Sequence, residues 1–326
     1  MGSPVSAEVS WGTVYWQCRP YLFVHDSVYA RLPQLDWAFP LAVRYTAPLR
    51  VTKVSARMAV ANEQAVHTLL APDEPAPYEI IEAQTDRPLL LACDHASRRI
   101  PRSLGDLGVS NECFDTHIAW DIGAGAVTRL LCDRLGCGAV LGNFSRLVVD
   151  LNRDLEDPTA FPAISDGVLV PGNLSLTVGA RADRARSIFK PYHEALKRLK
   201  QSFSSTNQRP VMICIHSFTP YLHGLFRAWE IGVLWDKDAR LPLPLMAALR
   251  ASSGVCVGDN MPYSGRHHAD FTIDHHAEPA GLAHAGIEIR QDLISDLEGQ
   301  GRWAERIAEA LELVLKHEDL YRSRVG

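Results

Sequence analysis

The sequence predicts an α/β protein built on a covered, mostly parallel sheet. From residue 87 onward, short and nearly unbroken apolar runs recur, helical patterns alternate with them, and polar residues follow several runs directly. A strand with helices on both faces has no solvent side to alternate with, so it reads as a continuous apolar run.

The expected strands, in order, are PLLLA at 88–92, GAVLG at 138–142, RLVVDL at 146–151, VMICI at 211–215, IGVLW at 231–235 and VCVG at 255–258. Between them, AGAVTRLLCDRLGC at 124–137 places Val127, Leu130, Leu131 and Leu135 at helical spacing and closes on glycine. Residues 181–202 carry Ile188, Phe189, Tyr192, Leu196 and Leu199 in the same way, with Pro191 expected to kink or interrupt the helix. Residues 302–321 form a terminal amphipathic helix through Trp303, Ile307, Leu311, Val314 and Leu315.

The first 57 residues lack either periodicity and hold three of the seven tryptophans. They are expected to be a poorly structured N-terminal extension, an over-long gene start with Met58 as the true beginning; the alternative is a small accessory subdomain. Residues 58–86 read as a lead-in containing the acidic, proline-broken linker DEPAPYEI at 73–80, and residues 87–326 as the catalytic domain.

Composition narrows the function classes. The net charge of −5 argues against nucleic acid as partner, because neutralising phosphates needs a basic face. Seven cysteines without a CxxC pair do not suggest a disulfide framework, so a cytoplasmic setting is expected. No apolar run approaches the roughly 20 residues of a membrane span, and no signal-peptide layout opens the chain. A soluble protein is expected, with no membrane partner; the oligomeric state is left open.

In such sheets, ligands sit beyond the carboxyl ends of the strands. Asp94-His95 follows LLLAC, and His216-Ser217 follows VMICI, so two histidines occupy matching positions. Asp115, His117 and Asp121 lie in DTHIAWDIGAG, just before a helix. Two histidines and a carboxylate at one rim would make an open zinc site with a place for water, whose pKa zinc lowers towards about 7. For a single histidine, a surface or hydrogen-bonded core role is the simpler reading; the matching positions of His95 and His216 favour the metal. Cys93 reads as strand-end packing.

The segment 267–293 is rich in histidine, but His267/His268 and His275/His276 are adjacent pairs that would point to opposite faces of a strand, so a solvated loop is expected there. Its end, IEIRQDL, alternates, placing Glu288, Arg290 and Asp292 on one face. A glutamate beside a metal-water site suits a general base, and an arginine on that face could hold a carboxylate; the structural alternative is an edge strand with a surface ion pair. Arg98, Arg99, Arg146 and Arg153 fall near the proposed rim, with an internal Arg–Asp pair as open as substrate contact. Asn260 and Tyr263 in DNMPYSG either reach a ligand or shape a turn.

The ordered segments CDHASRRIP, HIAWDIGAG, SRLVVDLNR, CIHSFTP, IGVLW, DNMPYSG and GLAHAGIEIRQDLI resemble the N-formylglutamate amidohydrolase family, relatives of the zinc carboxypeptidases and aspartoacylases, over residues 80–315. The resemblance implies a phosphorylase/hydrolase-like three-layer α/β/α sandwich around a mixed, mostly parallel sheet. It also implies one zinc ion and hydrolysis of a small N-acyl amino acid such as N-formylglutamate. It makes His95 and His216 zinc ligands and Glu288 the general base and acid. Arg146 becomes the oxyanion stabiliser, with Asn152 and Arg153 on the substrate side, where the strand alternation already puts Arg290. The third ligand is assigned to Asp121, with His117 as runner-up, because Arg98 stands where carboxypeptidases carry a glutamate. A carboxypeptidase-like hydrolase of a peptide or cell-wall fragment, and a non-catalytic α/β protein binding a small acidic ligand, are the alternatives.

Overall fold

A computed structural model describes residues 69–203, 209–251, 254–266 and 270–324. The expectations for residues 1–57, for Met58 and for His267 and His268 lie outside the described residues.

The strands are β1 Tyr78–Ile81, β2 Leu89–Cys93, β3 Gly138–Gly142, β4 Ile164–Ser165, β5 Val168–Leu169, β6 Val211–Phe218, β7 Tyr221–Leu222, β8 Leu225–Phe226, β9 Ile231–Leu234, β10 Val257–Asp259 and β11 His284–Arg290. The helices are α1 Ala124–Leu135, α2 Val178–Arg184, α3 Lys190–Ser202, α4 Pro242–Ala251, α5 Phe271–His276 and α6 Leu297–Val314. Seven strands form one sheet in the order β1-β3-β2-β6-β11-β9-β10, with β4–β5 and β7–β8 as separate two-stranded hairpins. Within the seven-stranded sheet β1–β3 and β11–β9 pair antiparallel and the other four pairings are parallel. The sheet is therefore mixed and mostly parallel.

Strand residues alternate between two apolar layers. Leu89, Leu91, Val211, Ile213, Ile215, Ile287 and Ile289 pack with α1, α4 and α6, where Val127, Leu245, Trp303 and Leu311 meet them. Leu90, Ala92, Met212 and Cys214 face the other way, onto Ile188, Tyr192 and Leu196 beside α3. Both faces are covered, which accounts for the unbroken apolar runs and gives the α/β/α sandwich. A fully buried Leu or Ile contributes about 1.5–3 kcal/mol relative to exposure, so the strands are held by both layers at once. His216 and Glu288 share the parity of Met212 and Gly286, and both emerge on the α3 side.

Several expectations are corrected. RLVVDL is not a strand: residues 146–151 form tight turns, with the Val148 N–H donating to the Ser145 carbonyl and the Asp150 N–H to the Ala160 carbonyl. Its apolar residues are buried all the same, and burial alone does not distinguish a strand from a packed loop. The proposed linker at 73–80 runs into β1, an edge strand paired with β3. The helix from residue 181 begins at Val178, and a π-helical stretch, Ala185–Phe189, interrupts it just before Pro191, which sits in the first turn of α3, where no N–H is needed. The terminal helix starts earlier than expected, capped by Asp296 accepting from the Gly299 N–H, and ends at Val314. α4 was not expected. In place of a loop at 271–276 there is a helix, α5, capped by Asp270.

A candidate metal-dependent active site

The site grows from three neighbouring strands. β2 and β6 are parallel with Ala92 opposite Cys214, which brings Asp94 and His95 level with His216 and Ser217. β11 lies on the other side of β6 with Glu288 directly opposite His216. Asp121 enters from the loop before α1, its N–H donating to the His95 carbonyl. That loop turns at Gly123, whose φ of +81° suits glycine and where a Cβ would collide with the Ile294 carbonyl.

The two imidazoles present the same atom to one carboxylate oxygen. His216 Nδ1 lies 2.9 Å and His95 Nδ1 3.4 Å from Asp121 Oδ2. One ligand atom from each of the three side chains falls within 4.8 Å of the others, and all three residues are buried. Atoms bound about 2.0–2.1 Å from a tetrahedral zinc stand roughly 3.3 Å apart, so the spacing suits that ion. The far side of each ring also meets a carboxylate. His95 Nε2 is 2.7 Å from Asp150 Oδ1, and His216 Nε2 is 3.4 Å from Asp94 Oδ2. Asp94 is fixed in turn by hydroxyls donated from Tyr192 (2.8 Å) and Thr272 (2.7 Å). Carboxylates behind histidine ligands set the tautomer and orient the ring, as in many zinc sites.

Charge makes the same point. Burial would raise the pKa of Asp94, Asp121 and Asp150, but His216 and His95 hold the first two down, and Arg146 together with His95 holds Asp150 down. Three buried carboxylates are thus charged, and Arg146 is hydrogen-bonded to Asp121 and Asp150. Burial would lower His95 and His216, and Arg146 also opposes protonation of His95, yet their aspartate partners push both upward. Asp94 Oδ2, His216 Nε2 and Glu288 Oε2 are buried without a hydrogen-bond partner. The donor set therefore fits a divalent cation.

Around this centre lies a cleft of about 520 Å³ lined by His95, Asp121, His216, Glu288, Arg146, Asn152 and Arg153, with Thr219 and the loop 260–265 on the far wall. That loop crosses β9 closely enough that a Cβ at Gly232 would collide with the Met261 carbonyl, and Asn260 ties it down by accepting from the Trp235 and Gly265 N–H groups at 3.0 Å each. Burial raises Glu288 to about 7, the range of an effective proton shuttle near neutral pH. Arg146 donates to Asp150 Oδ2 through Nε (3.0 Å) and Nη2 (2.7 Å) while still lining the cleft. The internal Arg–Asp pair and the cleft-facing position thus coexist. Asn152 accepts from the Thr272 N–H, and Arg153 donates to the Asn152 carbonyl.

Other sequence candidates stand outside the metal-competent trio, and of these only His117 lines the cleft. Arg290 pairs with Asp292 at 2.8 Å, stacks over Phe226 and does not line the cleft, because β11 ends at Arg290 and the chain turns away. Arg290 is not brought to the cleft lining, and β11 is a central strand, not an edge. His117 is set 3.1 Å from Asp166 and falls outside the metal-competent trio. Arg98 pairs with exposed Asp115, and Arg99 is likewise outside the cleft lining. His276 is buried against His193, their nitrogens 3.0 Å apart. The Cys93 thiol is pushed up to about 12 by burial, consistent with packing. The placement of Asp94 and Asp150 behind the two histidines, and the Tyr192 and Thr272 hydroxyls on Asp94, escaped the sequence reading, since the hydroxyl contacts span 98 and 178 residues of chain.

Known proteins resemble this chain in sequence and fold. A crystal structure of an Agrobacterium tumefaciens gene product is similar at 35% identity and a TM-score of 0.73, over 76% of this chain and 98% of that one. The N-formylglutamate amidohydrolase of Ralstonia eutropha shares the fold at 18% identity and a TM-score of 0.58, over 74% of this chain and 97% of its own. The N-formylglutamate deformylase of Pseudomonas aeruginosa is 24% identical over 249 residues, covering 70% of this chain and 90% of the relative. The family model described as N-formylglutamate amidohydrolase matches residues 87–295. The chain therefore belongs to the N-formylglutamate amidohydrolase family and is a hydrolase of carbon–nitrogen bonds other than peptide bonds.

Proposed function

We propose that this protein hydrolyses the amide bond of a small N-acyl amino acid, with N-formylglutamate as the leading substrate, and that it does so with one zinc ion held by His95, Asp121 and His216. The observation that carries the reading is the pair of buried imidazoles presenting Nδ1 to one aspartate oxygen, each backed by a second carboxylate. When bound, zinc would supply Lewis acidity towards an acyl carbonyl and lower the pKa of water.

The remaining steps belong to the chain's own residues. Glu288, its Oε2 without a partner, takes a proton from the attacking water and later returns it to the departing amine. Arg146, locked by Asp150, offers positive charge to the oxyanion that forms at the acyl carbon. Asn152 and Arg153 orient the amino-acid carboxylate. The carbon–nitrogen bond breaks, the acyl group leaves as a carboxylate and the amino acid as a free amine. A bounded cleft of about 520 Å³ with arginines on its wall favours a small substrate over a peptide.

The test is to measure metal content together with amine release from N-formyl, N-acetyl and N-succinyl amino acids, before and after chelation. Stoichiometric zinc, with hydrolysis lost on chelation and restored by zinc, is expected. Hydrolysis that persists in fully metal-free protein would refute the metal assignment, and no amine release from any of these substrates would refute the substrate class.

A further inference from the structure

Beside the active-site cleft lies a second, surface-open pocket of about 490 Å³, and His117, Arg146 and Arg153 line both spaces. N-formylglutamate, with about 12 heavy atoms, needs less than roughly 360 Å³ even at the ~30 Å³ that water takes per heavy atom. The first cleft accommodates it alone, so the second cavity is surplus to that substrate.

Two hairpin tips build the far side of this cavity. Asp166-Gly167 joins β4 to β5 and His223-Gly224 joins β7 to β8, each pair with positive φ (+42° and +78°; +50° and +78°). Such two-residue turns hold their residues in a fixed direction, because the left-handed backbone is set by strand twist. Asp166 thereby reaches His117, with Oδ2 3.1 Å from Nε2, and His223 approaches the other carboxylate oxygen at 3.8 Å. The His117–Asp166 contact is off the line of a good hydrogen bond, as His117 Nε2 counts as buried without such a partner. His117 thus stands on the wall that the two spaces share, with Asp166 beside its Nε2.

We infer that His117, positioned by Asp166, is a specificity-determining partition that confines the substrate to a single amino acid by closing the second cavity to anything joined beyond its carboxyl group. This rests on the proposed N-acyl amino acid chemistry, in which Arg153 receives the substrate carboxylate. Arg153 stands at the junction, so a residue attached there would have to pass His117. Truncating the ring would join the two spaces, whereas a side chain of similar bulk would keep them apart.

The experiment compares kcat/KM for N-formylglutamate and N-formyl-glutamyl-glutamate in the full-length wild type, His117→Ala, His117→Phe and Asp166→Ala, with thermal melting as a folding control. His117→Ala is expected to raise the dipeptide-to-monomer ratio at least about tenfold, the scale on which pocket volume discriminates. Asp166→Ala should raise it less, and His117→Phe should leave it at the wild-type value. The N-acetyl-to-N-formyl ratio should stay unchanged in all variants, since the acyl group lies away from the partition. An unchanged dipeptide ratio in folded His117→Ala, or a shift in the acyl ratio instead, would overturn the partition while leaving the amidohydrolase reading intact. Failure of the wild type to release amine from any N-formyl amino acid would overturn both.

Discussion

Asp150 provides the sharpest test of how the site is held together. Its carboxylate is buried, lies 2.7 Å from His95 Nε2, takes two bonds from Arg146 and accepts from the Asn152 N–H at 2.9 Å. Asp150→Asn preserves the shape and keeps an oxygen for His95, but removes the charge that Arg146 needs. Breaking a buried ion pair from one side costs about 3–5 kcal/mol, because the remaining charge is left uncompensated. Arg146 keeps a quarter of its side chain exposed, so the lower end, about 3 kcal/mol, applies. In a domain of this size that is a fall in Tm of roughly 6–12 °C. Loss of the carboxylate behind His95 should also weaken zinc binding by about 10- to 100-fold. Calorimetric melting of the zinc-free protein and competitive zinc titration read the two effects separately. If the variant melts with the wild type and binds zinc equally well, Asp150 does not support the centre and the charge argument fails.

Glu288→Gln should lower kcat by about 10²–10⁴ while zinc stoichiometry is unchanged, and near-normal kcat would remove Glu288 from proton transfer. Arg153→Ala should raise KM at least about tenfold, while Arg290→Ala, outside the cleft lining, should shift it less than about twofold; equal effects would contradict the assignment. Burial holds His193 down to about 4 and His276 to about 3, against about 6.5 in an unfolded chain. As pH drops below 6.5 the unfolded chain binds protons first, so this contribution to stability is intact above about pH 6.5 and lost as pH falls towards 4 and then 3. Melting of wild type and His276→Phe at pH 7.5 and 4.5 should show the steeper loss in the wild type, and parallel losses would refute the pair's role.

Much of the sheet was legible because covered strands must be apolar on both faces, which is why β2, β3, β6 and β9 stand out as unbroken runs. The same rule misread RLVVDL, where equally apolar residues fill a packed turn, and passed over β1, an edge strand whose YEII is only partly buried. The alternation in IEIR correctly put Glu288 and Ile287 on opposite faces, but it carried the strand on to Asp292, two residues past its end. His95 and His216 could be picked out because strand ends announce themselves locally. Their supporting carboxylates and hydroxyls could not, since those partners meet only when distant segments close over the α3 face. The roles of all these residues stand as proposals that the experiments above address.

β11 runs with one neighbour and against the other, and Glu288 is paired on both sides, with His216 of β6 and Gly232 of β9. A side chain on such a strand cannot swing away through loop motion, so Glu288 stands on a stationary floor. The hairpins and the 260–265 segment are walls standing on that floor. Selection or engineering could therefore remodel what enters the site by rebuilding those walls, leaving the proton-handling group where it is.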